Sequence, residues 1–376
     1  MNRHYFDWAA TALPDDQSTE AAWGNPSSLH QEGRRAKAAL EEARSRCAAV
    51  LAVPPLQLYF TSGATESNAI ILYATLLRPP SLTVLYSAIE HSSIRENCAR
   101  LERLGRRVAP IGVEADGRVS TAALSRALDK NPDARFITIM AVNNEIGSFM
   151  DIPALVRCIR GYKKAPIHVH CDIVQAVGKV PVDIAGWDID SASLSAHKIG
   201  GPRGIGLLYL KKPLEVLYAG GGQEGRIRAG TENVAGALAL ARCLERHARI
   251  PTVKAEYEKA AQRFTALISF LRSLPRCSLI PADRQISDPR FSPYILQTAF
   301  EGLPGEVLVR ALDDAGCAVS TGSACSIGEQ ARPVLSALHL DEHTQLEGIR
   351  ISQGWSTTAE DIHALCKAIE ELLNFL

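Results

Sequence analysis

The chain has 376 residues, 46% of them hydrophobic, and its 41 Lys plus Arg balance 41 Asp plus Glu, giving a formal net charge of zero at pH 7. That balance excludes a global basic field for nucleic acid or an anionic membrane surface, and the length is too great for one typical core, so about two domains are expected. Nine scattered cysteines without a C-x-x-C pair argue against a zinc ribbon and a disulfide framework. The N-terminus carries no apolar signal core and no apolar run is long enough to span a bilayer, so a cytoplasmic protein with no metal, no direct nucleic-acid partner and no membrane partner is expected.

Asn25-Pro26-Ser27-Ser28 punctuates the start of a helix, with Ser28 and Gln31 placed as a capping box ahead of an Ala/Arg/Glu-rich run to about residue 50. Residues 56–60 read as a short buried strand that runs into Thr61-Ser62-Gly63-Ala64-Thr65-Glu66-Ser67 and an apolar helix over 68–77. Such a strand, glycine turn and helix leave backbone N–H groups and a positive dipole end facing outward, a ready anion site. Strand-like runs recur at 82–86, 136–142, 167–170, 191–194 and 206–210, with helical text between them. This alternation predicts an α/β fold with a mainly parallel sheet flanked by helices, and ligands bind such sheets at the carboxyl ends of the strands. Two long helices, 233–248 and 252–274, are separated by the break Arg249-Ile250-Pro251. The remainder, with strands at 293–300 and 348–352 and helices at 305–315 and 358–373, reads as a smaller α+β domain. The expected division is 16–250 for the large domain and 1–15 plus 251–376 for the small one.

Polar clusters fall at the predicted strand ends: Glu90-His91, Asn143-Asn144-Glu145, Asp172 with Gln175, and Ser195-Ala196-His197-Lys198 before a glycine-rich loop. Taken singly, each has an ordinary account: a solvated turn lysine, a helix-start histidine, a turn asparagine, a helix-capping aspartate. Together they supply what a pyridoxal 5'-phosphate enzyme needs. These are a lysine for the Schiff base, an acid to keep the pyridine nitrogen protonated, and a phosphate cradle.

On these segments the sequence resembles the class V aminotransferase group of fold type I pyridoxal phosphate enzymes, in order and along most of the large domain. The resemblance implies that Lys198 anchors the cofactor, His91 stacks on its ring, Asp172 pairs with the ring nitrogen and Gln175 bonds the ring hydroxyl. Ala64, Thr65, Ser195 and His197 would hold the phosphate, and Asn144 would lie by substrate and cofactor. Gly220-Gly221-Gly222-Gln223-Glu224 and the following Arg226 to Asn233 resemble the loop that reaches a neighbouring subunit's phosphate, so Thr231 is expected to act in trans and the chain to form a homodimer. The order Gly225-Arg226 departs from the group's Arg-Gly, and Cys171 and Ile173 beside Asp172 are also unusual for it.

Ser320-Thr321-Gly322-Ser323-Ala324-Cys325 is similar to the persulfide loop of NifS/IscS-type cysteine desulfurases, with Gly328, Glu329 and Gln330 at the loop tip and Arg332-Pro333-Val334-Leu335 resuming helix. Arg350 matches the arginine that grips the substrate carboxylate, and the segment from Phe6 to Ala12 resembles the family's opening. The resemblance implies that L-cysteine is converted to L-alanine and a persulfide on Cys325. The sulfur would pass to an acceptor protein, an iron-sulfur scaffold or a thiolation enzyme. A selenocysteine lyase or related β-lyase is the rival enzyme, and a catalytically idle scaffold or regulator the rival of another class. The sequence ends at Asn374-Phe375-Leu376 without the tail by which family members dock a scaffold, so docking by that route is not expected.

Overall fold

The computed structural model describes residues 4–6, 24–162, 166–322 and 332–375. In chain order the elements begin with β1 (His4–Tyr5), α1 (Gln31–Leu51), β2 (Leu58–Thr61), α2 (Ala64–Ala74), β3 (Thr83–Ser87), α3 (Ser92–Arg103), β4 (Arg107–Ile111), α4 (Thr121–Lys130) and β5 (Ala134–Thr138). There follow α5 (Ile152–Gly161), β6 (His168–Asp172), β7 (Ser191–Ser195), β8 (Gly206–Leu210), α6 (Val234–His247) and α7 (Ile250–Ser273). The chain closes with β9 (Cys277–Ile280), β10 (Ile295–Phe300), α8 (Gly305–Asp314), β11 (Cys317–Ala318), α9 (Pro333–Ala337), α10 (Glu342–Glu347), β12 (Gly348–Ser352) and α11 (Ala359–Phe375).

The large sheet has seven strands in the order β2-β8-β7-β6-β5-β3-β4. All run parallel except β8, which is antiparallel to both β2 and β7. Helices cover both faces because each presents one apolar stripe. On one side Ala36, Leu40, Ala43 and Cys47 of α1 pack into a core shared with Leu155 and Val156 of α5 and Leu240 and Leu244 of α6. On the other, Ile71 and Leu72 of α2 join Ile94 and Leu101 of α3 over Val84, Phe136 and Leu208. Each fully buried aliphatic side chain contributes on the order of 1.5–3 kcal/mol, so the sheet sits between two substantial apolar layers. A second core lies among Phe6, Phe264, Leu271, Leu296, Phe300, Ile349 and Leu365, around the antiparallel sheet β12-β10-β9 and the parallel pair β1-β11.

The first helix starts later than the capping box predicts. Ser28 donates its backbone N–H to Asn25 C=O (2.9 Å), closing the Asn25-Pro26-Ser27-Ser28 turn on itself, and His30 caps α1 by accepting the Gly33 N–H (3.3 Å). The β2 edge is engaged by side chains: Leu58 C=O accepts from Arg44 (2.8 Å), and Phe60 N–H donates to Glu224 (2.6 Å). Arg44 and Glu224 are themselves a buried bidentate pair, at 2.8 and 2.7 Å. Glu224, Gly225 and Arg226 all have positive φ, at 44°, 58° and 67°, so the segment with the unusual Gly-Arg order makes a tight left-handed turn held by that pair. Among the described residues no helix is long and apolar enough to cross a membrane, and no group of three or more His, Cys, Asp or Glu is arranged to hold a metal ion.

Candidate active site

Because β3, β5, β6 and β7 are parallel, their carboxyl ends deliver the polar clusters to one edge of the sheet. β6 ends on Asp172 and β7 on Ser195, from which a single 3-10 turn, Ala196–Lys198, carries the lysine. The next turn needs glycine. Gly63 has φ +152°, and a Cβ on Gly206 would lie 2.7 Å from the Gly63 Cα, so two bare backbones pass where any side chain would clash. Ser195 Oγ accepts the Ala64 N–H at 2.8 Å, which aims its hydroxyl proton elsewhere and ties β7 to the first turn of α2. Thr65 is exposed beside it.

Asp172 is 4% exposed. Burial raises its pKa, while the Val174 N–H (3.0 Å), the Asn68 Nδ2 (3.1 Å) and the charge of Lys198 favour the carboxylate. Asn68 is itself fixed: its Oδ1 accepts from His170 Nε2 (2.9 Å) and Ser193 Oγ (2.6 Å), and its Nδ2 also donates to Ser93 Oγ (2.9 Å). His170 Nδ1 bonds Ser191 Oγ at 2.8 Å, so a polar chain runs from β7 through His170 and Asn68 to the acid. A second carboxyl, Glu90, is fully buried close by; desolvation and then the Asp172 charge push its pKa well up.

His91 caps α3. Its Nδ1 accepts the Ser93 N–H (3.1 Å), placing the proton on Nε2, and burial followed by the charge of Lys198 pulls its pKa to about 4. His197 is likewise brought to about 4 by burial and then Lys198. The ring nitrogens of both are therefore uncharged at neutral pH. Gln175 lies in the turn after β6, its Oε1 bonded to Lys179 Nζ at 2.6 Å.

Asn143 organises the next loop. Its Oδ1 accepts the N–H groups of Glu145 (2.8 Å) and Ile146 (2.9 Å), and its Nδ2 donates to Ile89 C=O (2.9 Å). This holds Asn144, whose Oδ1 is buried without a hydrogen-bond partner among the described residues. An orphaned buried acceptor in a cleft is a place for a ligand donor. Arg350, on β12 of the second core, reaches across to donate to Asn144 C=O (3.0 Å) and Gly322 C=O (2.6 Å). Arg332 donates to Thr321 C=O (2.9 Å) and Gly348 C=O (2.7 Å). The two arginines thus secure the backbone just before residue 323.

The charge of Lys198 acts on His91, Asp172 and His197, that of Arg350 also on His91, while Ser195 holds the Ala64 N–H beside Thr65, Arg350 holds the Asn144 carbonyl, and Gln175 is tied to Lys179. Thr231 is exposed just before α6, whose cap is Asn233, accepting the Gly236 N–H at 2.9 Å. Cys325 lies outside the described residues, as do the loop-tip residues Gly328, Glu329 and Gln330 and most of the opening segment; of the latter, Phe6 is described and is fully buried in the second core. Sequence reasoning missed Asn68, His170 and Lys179. The available signal for Asn68 was a lone amide within an apolar helix.

The donor set suits pyridoxal 5'-phosphate: an amine, a buried carboxylate with fixed donors, a neutral imidazole, and a hydroxyl and helix start beside a glycine turn. The sequence model for aminotransferase class-V matches residues 4–365. A cysteine desulfurase IscS from Dictyoglomus turgidum is 35% identical over 387 aligned positions, covering 99% of this chain and 95% of that relative. A solved structure titled NifS-like protein is 33% identical with a TM-score of 0.90, each chain covered completely. Another, titled SspA in complex with cysteine, is 28% identical with a TM-score of 0.78, covering 93% of this chain and 98% of that one. Sheet order, site and full-length similarity agree: the chain belongs to the aminotransferase class-V family, among its cysteine desulfurases of NifS/IscS type.

Proposed function

We propose that the chain takes sulfur from L-cysteine, leaving L-alanine and a persulfide on Cys325. The observation that carries this reading is the buried Asp172, held by Asn68 and Val174 within reach of the charge on Lys198. A solved relative whose title records a complex with cysteine supports the substrate. When bound, pyridoxal 5'-phosphate supplies an electron sink for charge developing on the substrate carbon.

Lys198 anchors the cofactor and then moves the substrate α-proton. Asp172 would keep the ring nitrogen protonated, the neutral ring of His91 would pack on the cofactor, and Gln175 would bond its ring oxygen. Ala64, Thr65, Ser195 and His197 hold the phosphate, joined by Thr231 of the partner in a homodimer. Arg350 holds the substrate carboxylate, and Asn144 lies by substrate and cofactor. The thiolate of Cys325 attacks the substrate sulfur; the S–S bond forms as the C–S bond breaks, and the carbon fragment takes up protons to leave as alanine. The persulfide sulfur then passes to an acceptor thiol, on an iron-sulfur scaffold or a thiolation enzyme, in the cytoplasm. Residues 16–250 form the cofactor domain in this reading, and 1–15 with 251–376 the domain that brings Arg350 and Cys325.

The test is a pair of variants of the cofactor-loaded protein. Cys325→Ser keeps the visible absorbance and loses sulfide release from cysteine, whereas Lys198→Ala loses the visible band. Sustained sulfide release by Cys325→Ser, or an unchanged spectrum in Lys198→Ala, refutes the assignment.

A further inference from the structure

Lys179 has no part in the reading above, yet it is 6% exposed and its amine lies inside the site. The turn after β6 puts it there: the Ala176 and Val177 N–H groups return to Ile173 C=O, Lys179 N–H bonds Ala176 C=O (3.0 Å), and Gly178 takes φ +74°. The lysine folds back over four residues, and its Nζ donates to Gln175 Oε1 at 2.6 Å. It lines a small cavity together with Lys198, His247, Glu256, Tyr294 and Trp355. No carboxylate among the described residues pairs with it. Burial first, then the charges of Lys198 and Arg350, bring its pKa down to about 7. An amine buried beside two cations costs stability, and the contact it makes in return is to one carboxamide oxygen.

That contact has a directional consequence. A carboxamide is nearly symmetric in shape, and only its hydrogen bonds decide which end faces which way. An ammonium has three donors and no acceptor, so in that state Lys179 can meet only the oxygen end, as it does here.

We propose that Lys179 is a positioning residue that fixes the orientation of Gln175, so that the carboxamide meets the cofactor's ring oxygen with its NH2 end, as a donor. The inference rests on the cofactor reading above. A donor to a ring oxygen that carries negative charge strengthens cofactor binding, and losing it weakens affinity for pyridoxal 5'-phosphate by roughly tenfold or more. It also moves the pH at which the visible band of the loaded protein changes, because the ring oxygen's charge is no longer stabilised from that side.

The experiment titrates the visible band of the loaded protein against pH and measures the dissociation constant of pyridoxal 5'-phosphate for the cofactor-free protein, in the wild type and in Lys179→Met, Lys179→Arg and Lys179→Gln. Arginine, which has donors only, retains the wild-type midpoint. Glutamine, which can turn either end toward Gln175, shifts it, and methionine shifts it further with at least tenfold weaker binding. In a Gln175→Leu background, Lys179→Met adds no further shift. If Lys179→Met does not fold, the contrast between arginine and glutamine decides, and equal midpoints for those two overturn the inference. Additive shifts of Lys179→Met and Gln175→Leu also overturn it, since Lys179 would then act by its charge and not through the amide. Absence of a visible band in the wild type overturns the cofactor reading itself, a result distinct from a normal wild-type band with unshifted variants.

Discussion

Replacing Asn68 by alanine isolates what holds the acid of the site. The change deletes the Nδ2 donor to Asp172 (3.1 Å) and the Oδ1 acceptor used by His170 (2.9 Å) and Ser193 (2.6 Å). The serine hydroxyls can turn to new partners, whereas the His170 N–H is left buried, which costs about 1–3 kcal/mol at any pH. The loss at Asp172 depends on its charge. A hydrogen bond to a charged group contributes about 1.5–3 kcal/mol and one between neutral groups about 0.5–1.5 kcal/mol, so roughly 1–1.5 kcal/mol of the effect appears only when Asp172 ionises. Burial raises its folded pKa above the ordinary value, so its cost to the fold is absent below the unfolded pKa, grows as pH rises from there to the folded pKa, and is complete above it. His91, His168 and His197 are held at about 4 and His170 at about 3, all by burial first, so they are neutral in the fold from pH 6 upward and cancel between wild type and variant. Urea unfolding of the cofactor-free proteins over a series of pH values is then expected to show a destabilisation that is larger where Asp172 is ionised in the fold than where it is protonated. In an Asp172→Asn background the pH-dependent part disappears. A loss of the same size and pH profile in the Asp172 protein and in the Asp172→Asn background refutes the argument that Asn68 serves the carboxylate.

The same reasoning makes Glu90→Gln mild: the fold raises the Glu90 pKa, so replacing the acid by an amide of the same shape removes a cost present above the ordinary carboxylate range and is expected to raise stability there, which urea midpoints at pH 9 check. A drop of more than about 2 kcal/mol would contradict it. Arg44→Met strands the buried Glu224 carboxylate and is expected to lower unfolding free energy by about 3–5 kcal/mol, with Glu224→Gln added to it restoring part; denaturant curves measure both. Because four histidines have folded pKa values depressed well below the ordinary 6.5, their contribution is complete above that value and is lost progressively as pH falls toward 4, so unfolding below pH 6.5 takes up more than one proton, read from the slope of stability against pH. Arg350→Lys cannot reach both Asn144 C=O and Gly322 C=O as the guanidinium does, and the KM for cysteine is expected to rise at least tenfold with the visible spectrum unchanged.

Much of this architecture was legible because parallel strands state themselves as apolar runs and leave their polar residues at one end. The run predicted over 136–142 shows where such reading blurs. The strand stops at Thr138, yet Ile139 and Ala141 still donate to the β6 carbonyls of His170 (3.1 Å) and Asp172 (2.9 Å), so the apolar signal follows burial beyond the ladder's regular part. β4 was missed for the opposite reason: Arg107-Val108-Ala109-Pro110-Ile111 is a half-exposed edge strand containing proline, and carries little apolar pattern. Within the site, Lys198, Asp172 and His91 could be named since their chemistry is local to a motif. Asn68 and His170 act on Asp172 from other elements, and Lys179 depends on how one turn folds back; no linear spacing encodes those meetings.

The Arg44–Glu224 pair bears on more than the turn it holds. β2 is one margin of the large sheet, and an open margin offers N–H and C=O groups on which another strand can grow. Here the guanidinium takes up the Leu58 carbonyl and the carboxylate takes up the Phe60 N–H, while the opposite margin, β4, carries Pro110. Two residues 180 positions apart in sequence thus close the margin only when α1 and the 223–226 turn are both in place. The ion pair is in effect a guard against self-association by strand addition, active in the finished fold and absent while the chain is still assembling.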